Sequence, residues 1–162
     1  MGAAFAPGFP GLGCRHAARI VADRESAKLR ERIHEMNVLI VDDDLDHIHS
    51  LKRWLISEGH RVGCARDGRQ VLARLDQETW HVVLVHLVTA RANGLTVIGD
   101  IRQEGFNPVI VAYASFMDLG IALLAAAEGA NRCLRKPLRP VELRPLLSRA
   151  ASRGGSPLCP RT

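Results

Sequence analysis

The chain has 162 residues, of which 47% are hydrophobic and 24% charged, a composition typical of a globular protein with one ordinary core. The net charge of +5 suggests nucleic acid, but residues 36–150 contain 14 Lys and Arg against 13 Asp and Glu, a net of +1. Without a helix-turn-helix or zinc-finger pattern, the sequence does not favour nucleic-acid binding. No apolar stretch approaches the ~20 residues of a membrane span and no secretory signal is visible, so we expect a cytoplasmic protein.

The character of the sequence changes abruptly at Met36. Residues 1–35 are rich in Gly, Ala and Pro at their start and carry at most a weak helix at their end, so we expect an N-terminal extension that is disordered or weakly helical. This segment is either an extension or translated upstream sequence, and the second interpretation is favoured. The sequence therefore predicts one folded domain over residues 36–150 and a disordered tail over residues 151–162.

Short apolar runs alternate with helical periods through the domain. The apolar runs predict five strands, over residues 37–41, 61–65, 81–86, 108–113 and 131–134. Apolar residues three or four apart predict five helices, over residues 45–58, 68–77, 94–104, 116–128 and 140–150. Because Pro145 lies inside the last helix, we expect that helix to kink or to start late. The alternation predicts a flavodoxin-like, doubly wound parallel sheet, a (βα)5 arrangement with sites at the carboxyl ends of its strands.

Acidic residues follow the first predicted strand directly. Asp44 and Asp46 lie at the start of the next helix, where carboxylates stabilise the positive helix end. Asp42 and Asp43 are adjacent carboxylates that repel each other unless a cation or base lies between them, so they suggest a Mg²⁺ site. The third predicted strand ends in His86.

Five segments at successive strand ends have a spacing that resembles one family. They are Val41-Asp42-Asp43-Asp44, His86, Asn93-Gly94, Tyr113-Ala114 and Lys136-Pro137. Over about residues 36–150 the chain resembles the receiver domain of two-component response regulators. The resemblance implies a stand-alone signalling domain of a two-component or phosphorelay system, and not an enzyme. It also implies a protein partner such as a sensor kinase, a phosphotransfer protein or an output protein.

Part of the site matches what the resemblance implies. Asp42 and Asp43 match the acidic pair that holds Mg²⁺ in the family. Lys136 matches the lysine that contacts the phosphoryl group, and the bond from Lys136 to Pro137 matches the family's cis peptide.

Other positions depart from the family pattern. His86 stands in place of the phosphoacceptor aspartate, and Tyr113 stands in place of the Thr or Ser of the switch. Cys133 replaces the switch aromatic and Leu138 replaces a common Phe. These departures remove the carboxylate nucleophile, and the two remaining aspartates would hold Mg²⁺ only weakly.

The resemblance thus implies a pseudo-receiver that acts by protein–protein contact without aspartate phosphorylation. The alternative is a switch that still responds to a metal or another ligand at Asp42, Asp43 and His86. For His86 three interpretations stay open: a structural pair with a carboxylate, a ligand for Zn²⁺, Mn²⁺ or Fe²⁺, or a phosphorylated histidine.

The remaining polar residues carry weaker signals. His47 and His49 lie on helix faces away from the apolar stripe and are expected to be solvated. Four arginines near the last strand and helix form either a partner surface, including a homodimer contact, or a solvated basic face; they are Arg132, Arg135, Arg139 and Arg144. The four cysteines lack the close spacing of a metal or redox motif.

Overall fold

The structure, a computed structural model, describes residues 35–90 and 93–152. The predicted extension over residues 1–34 and the predicted tail from residue 153 onward lie outside the described residues. No helix among the described residues is long and apolar enough to cross a membrane.

Five strands form one parallel sheet in the order β2-β1-β3-β4-β5. The strands are β1 (Asn37–Val41), β2 (Arg61–Ala65), β3 (Val82–His86), β4 (Val109–Ala114) and β5 (Arg132–Arg135). The helices between and after them are α1 (Leu45–Ser57), α2 (Gly68–Gln77), α3 (Gly94–Gln103), α4 (Leu119–Glu128) and α5 (Pro140–Ser152). This topology confirms the flavodoxin-like prediction.

The two faces of the sheet carry separate apolar cores because side chains alternate along each strand. Leu39 and Val41 of β1 face the core that includes buried residues of α2, α3 and α4. Val38 and Ile40 face the core that includes buried residues of α1 and α5. Odd- and even-numbered residues of β1 therefore face opposite sides of the sheet and pack against different helices.

Capping side chains set where several helices begin. The carboxylate of Asp44 accepts a hydrogen bond from the backbone N–H of His47 at the start of α1. Asp118 accepts one from Ile121 at 2.8 Å, so α4 begins at Leu119 and not at Phe116, three residues earlier, as predicted. An acceptor at the N-cap satisfies a backbone donor that the helix itself leaves free.

The expected late start of the last helix is wrong, because α5 begins at Pro140 and continues through Pro145. Proline suits the first helical position, where its fixed φ is already helical and no donor is lost. Leu143 and Leu147, which lie on either side of Pro145, are both buried in the core. Their packing keeps the helix continuous despite the missing backbone donor.

Candidate functional site

The sheet register brings the polar ends of three neighbouring strands together. Val41 of β1 is paired with Val85 of β3, so the next residues, Asp42 and His86, lie side by side. His86 is paired with Tyr113 of β4. By alternation these three side chains lie on the sheet face that α1 and α5 cover, and Tyr113 belongs to that core.

One oxygen of the Asp42 carboxylate is contacted by three side chains from different elements. Oδ2 accepts a hydrogen bond of 2.8 Å from the hydroxyl of Tyr113. It lies 2.9 Å from Nδ1 of His47, on α1, and 3.1 Å from Nζ of Lys136, which follows β5. The Asp42 side chain is fully buried, so its charge is balanced by these neighbours and not by solvent.

The other oxygen of Asp42 is held by the backbone. Oδ1 accepts hydrogen bonds from the N–H groups of Asp43 at 2.8 Å and Asp44 at 3.1 Å. Burial raises the pKa of Asp42, but hydrogen bonds from His47, the Asp44 backbone and Tyr113, together with the neighbouring His86, outweigh burial and hold that pKa far below its ordinary value. Asp42 is therefore a permanent anion at the centre of the site.

Tyr113 forms the floor of the site. It is fully buried, and its ring stacks on His86 with centroids 5.2 Å apart. Nζ of Lys136 lies 5.5 Å from its ring centroid. Burial and the charge of Asp42 raise the pKa of the Tyr113 hydroxyl well above its ordinary value. Tyr113 is therefore a neutral hydrogen-bond donor directed at Asp42.

His86 faces Asp42 without a hydrogen bond. Its Nδ1 is 3.3 Å from Oδ1 of Asp42, within ion-pair range. The ring nitrogen is nevertheless buried and has no hydrogen-bond partner among the described residues, because at this ring orientation the contact lacks hydrogen-bond geometry. Only 9% of His86 is exposed. The site thus contains one buried polar atom that no described residue satisfies with a hydrogen bond.

Asp43 connects the site to the loop after β3. It is half-buried, and its Oδ2 accepts a hydrogen bond of 2.6 Å from the backbone N–H of Ala90. At the other end of this loop, the N–H of Gly94 donates to Leu87. A Cβ at Gly94 would collide with the backbone carbonyl of His86, so this position requires glycine for close approach of the two backbones.

The structure brings together five of the residues singled out from the sequence: Asp42, Asp43, His86, Tyr113 and Lys136. The peptide bond between Lys136 and Pro137 is cis. Cys133 lies elsewhere. It is paired with Ala112 and not with Tyr113, and it packs against the core on the opposite face of the sheet.

The prediction that His47 is solvated is wrong, because its ring contacts Asp42 and only 16% of its side chain is exposed. The ring also lies against Tyr113, with centroids 5.4 Å apart. His49, two residues further along α1, is exposed as predicted. Helix periodicity predicts only which side chains contact the sheet core. His47 lies in the first turn of α1 and contacts a residue at the end of β1, a position that periodicity does not describe.

The arginines near β5 and α5 do not form one group. Arg144 makes two hydrogen bonds to the carboxylate of Glu58, at 3.0 and 2.8 Å, so its charge is paired within the chain. Arg132, Arg135 and Arg139 are exposed.

A parallel sheet of this order, with two carboxylates after β1 and a lysine followed by a cis-proline after β5 at the same edge, defines a receiver domain. The family model of the response regulator receiver domain matches residues 38–148, and the chain belongs to that family, whose members are signalling domains of two-component systems.

Two curated relatives with similar sequences are named transcriptional regulatory proteins. The chain is 35% identical over 106 residues to the transcriptional regulatory protein CpxR of Klebsiella pneumoniae subsp. pneumoniae, which covers 65% of this chain and 45% of the relative. It is 31% identical over 120 residues to the CpxR homolog of Haemophilus influenzae, covering 74% and 52% respectively. The chain therefore spans about half the length of these relatives.

Solved receiver structures share the fold. A two-component response regulator from Clostridium difficile superimposes with a TM-score of 0.69 at 21% identity, covering 75% of this chain and all of that one. The receiver domain of the sensor histidine kinase PA1611 from Pseudomonas aeruginosa, described with a magnesium ion in its active site cleft, gives a TM-score of 0.66 at 22% identity and covers 73% and 98%.

The donor set of this chain does not suit the Mg²⁺ that the family implies. Mg²⁺ demands oxygen ligands in near-octahedral geometry. Here a buried imidazole nitrogen, with no hydrogen-bond partner among the described residues, stands beside the carboxylates of Asp42 and Asp43. The site therefore lacks the all-oxygen donor set through which Mg²⁺ supports phosphoryl chemistry.

Proposed function

We propose that residues 36–150 form an atypical receiver domain of a two-component or phosphorelay system that signals in the cytoplasm by protein contact, without aspartate phosphorylation and without enzymatic activity. One observation carries this proposal: β3 ends in His86, whose ring lies 3.3 Å from Asp42. By the family resemblance, this is the position of the phosphoacceptor aspartate. An acyl phosphate needs a carboxylate nucleophile, and an imidazole cannot form one.

The neighbouring aspartates are poor substitutes as nucleophiles. Asp42 is fully buried, and both of its oxygens accept hydrogen bonds within the protein. Attack on a phosphoryl group would require Asp42 to give up contacts that stabilise its charge. Asp43 is more accessible, but one of its oxygens holds the backbone of Ala90. These contacts make both aspartates poor phosphoacceptors.

Tyr113 supports a fixed state of the domain. Its hydroxyl donates to Asp42 and its ring is fully buried between His47 and His86. A switch residue of the family is expected to move when phosphate binds, whereas this side chain would have to break a buried, charge-assisted hydrogen bond. We therefore propose a constitutive surface and not a phosphate-gated one.

The partner surface that we propose is formed by α4, β5 and α5. α4 has only Ala125 buried among its ten residues, and five large apolar side chains on and around this face are exposed by 57% or more: Phe116, Leu119, Leu123, Leu124 and Val141. Exposed apolar patches of this kind mark protein contacts. A sensor kinase, a phosphotransfer protein or an output protein could dock here, or a second copy of this chain could form a homodimer.

Labelling with acetyl phosphate in Mg²⁺ tests the loss of phosphorylation. We expect the native chain to remain unlabelled and His86→Asp to take up phosphate, because that substitution restores a carboxylate at the end of β3. Phosphate on an aspartate of the native chain would refute the proposal.

Sedimentation of two charge variants tests the homodimer. Leu123→Glu, on α4, should abolish any self-association of the native chain. Ile56→Glu is the matched control, because Ile56 is also an exposed apolar residue, with 53% exposure, but lies on α1. If both variants associate as the native chain does, the contact is not on α4.

A further inference from the structure

We propose that Asp42, Asp43 and His86 form a binding site for a divalent transition-metal ion of the Zn²⁺, Mn²⁺ or Fe²⁺ class, in preference to Mg²⁺. This inference rests on the proposed function, because it assigns a metal ligand to the pocket of a receiver domain that is not switched by phosphorylation.

The three donor atoms are already close enough to share an ion. One ligand atom from each residue lies within 4.8 Å of the other two. Two ligands bound to one ion at about 2.1 Å are separated by at most about 4.2 Å, so the donors need to close by only about half an ångström. Asp43 is half-buried and its loop backbone is held at Ala90, which places its carboxylate at the mouth of the pocket.

The geometry between Asp42 and His86 is the most specific feature. Nδ1 of His86 and Oδ1 of Asp42 are 3.3 Å apart. If each were bonded to one ion at about 2.1 Å, they would subtend an angle of roughly 100° at that ion, between the octahedral and tetrahedral values. The observed distance between these two atoms is therefore the distance expected for two ligands of one ion.

The unsatisfied nitrogen of His86 points to a ligand independently of the carboxylates. Buried polar atoms in proteins are almost always hydrogen-bonded, yet Nδ1 of His86 has no such partner among the described residues. When Nδ1 carries no proton, its lone pair is turned toward a carboxylate oxygen and is repelled by it. A metal ion between the two atoms would remove that repulsion and give the nitrogen a partner.

Contacts with the protein fix the orientation of the ligands. Oδ2 of Asp42 contacts His47, Tyr113 and Lys136, while Oδ1 faces His86 and also accepts hydrogen bonds from the backbone N–H groups of Asp43 and Asp44, which a bound ion would share. Stacking on Tyr113 fixes the plane of the His86 ring. Contacts of this kind around a ligand tune its affinity for the ion.

The donor chemistry selects the class of metal. Two carboxylates and one imidazole suit Zn²⁺, Mn²⁺ and Fe²⁺, whereas Mg²⁺ is bound through oxygen alone and gives up its water reluctantly. The ammonium group of Lys136, 3.1 Å from Asp42, repels any cation and offsets part of the negative charge. This repulsion acts equally on every divalent ion, so it is the preference for the imidazole nitrogen that separates the transition metals from Mg²⁺.

Titration of the chelator-treated full chain with Co²⁺, read by visible absorption, tests the site. Co²⁺ stands in for the other transition metals and reports its ligands. We expect one ion per chain with nitrogen and oxygen ligation, and weaker binding by roughly tenfold or more in His86→Gln and Asp43→Asn. His49→Gln should bind as the native chain does, because His49 is exposed on α1. In the native chain, the NMR signals of His86 should show the paramagnetic shift.

Several outcomes would overturn the inference. They are unchanged Co²⁺ affinity in His86→Gln, a spectrum of thiolate ligation that assigns the ion to a cysteine, and displacement of Co²⁺ by Mg²⁺ at comparable concentration. Acetyl phosphate labelling is measured separately. If the native chain binds no metal and remains unlabelled, the metal inference fails and the proposed function stands. If the native chain is labelled on an aspartate, the proposed function fails whatever the metal titration shows.

Discussion

The hydroxyl of Tyr113 donates a 2.8 Å hydrogen bond to the carboxylate of Asp42, 71 residues away in sequence. This contact joins the ends of β1 and β4 across the intervening β3. Since both side chains are fully buried, neither can exchange its partner for water, and the bond belongs to the stronger, charge-assisted class.

Tyr113→Phe should therefore destabilise the domain by about 1.5–3 kcal/mol, the range for a hydrogen bond to a buried charge. The substitution retains the ring and its stacking on His86, so the loss reports the hydroxyl. Urea unfolding measures it, with Ser115→Ala as a control at the next exposed position. An unchanged free energy of unfolding would show that Asp42 does not depend on Tyr113.

A pair of histidines on one helix offers a matched comparison. His47→Leu removes a contact to buried Asp42 and should cost about 1–3 kcal/mol of unfolding free energy. His49→Leu makes the same chemical change two residues away on α1, at an exposed position, and should stay within about 0.5 kcal/mol of the native chain. Equal effects of the two substitutions would argue that the His47 contact contributes nothing.

Two glycines that begin helices should respond differently to alanine. A methyl group at Gly94 would meet the backbone carbonyl of His86 and Cα of Leu87, and rigid backbone atoms cannot move aside cheaply. We expect Gly94→Ala to cost roughly 1–3 kcal/mol. At Gly68 the nearest atom would be Cγ2 of Val97 at 3.4 Å, an ordinary contact, so Gly68→Ala should be neutral or stabilise α2 by up to about 1 kcal/mol.

Thermal or urea unfolding of both variants measures this difference. If Gly94→Ala proved as stable as Gly68→Ala, the loop from β3 to α3 would be free to shift. The close approach at His86 would then not constrain the site.

His60 predicts how stability depends on pH. Burial lowers the pKa of His60 below its ordinary value of 6.5, although the charges of Glu58 and Glu35 act in the opposite direction. The unfolded chain therefore takes up this proton at a higher pH than the folded chain does. The contribution of His60 to stability is complete above pH 6.5 and is lost as the pH falls from 6.5 toward its folded pKa.

Unfolding free energies measured between about pH 8 and pH 5, a range that brackets the ordinary histidine pKa, should fall less steeply in His60→Gln than in the native chain. His49→Gln serves as the control, since His49 is exposed, and should keep the native slope. The same slope in all three proteins would mean that other groups account for the pH dependence.

Much of the fold could be predicted because most strands are short apolar runs bounded by polar or turn-forming residues, as β1 and β3 are. β2 has the predicted bounds, and α2 begins at Gly68 and ends at Gln77 as predicted. Helix ends were harder to predict, because capping by Asp118 competes with the apolar residues Phe116 and Met117 for the start of α4.

The site could be predicted only in part. Residues that follow successive strands converge at one edge, so Asp42, Asp43, His86, Tyr113 and Lys136 were identifiable from their spacing and from the family resemblance. His47 was missed because it reaches the site from the side of a helix, a direction that helix periodicity does not encode. Cys133 was grouped with the site by resemblance, although alternation along β5 places it on the other face.

Tyr113 is the only tyrosine of the sequence, and it forms the floor of the pocket. A fluorine-labelled tyrosine incorporated throughout the protein would consequently give a single resonance, located where Asp42, His47 and His86 meet. That resonance would report a bound ion, a docked partner or a change at the end of β3 without assignment of any other signal. Tyr113 can thus serve as a single spectroscopic probe of the pocket formed around Asp42.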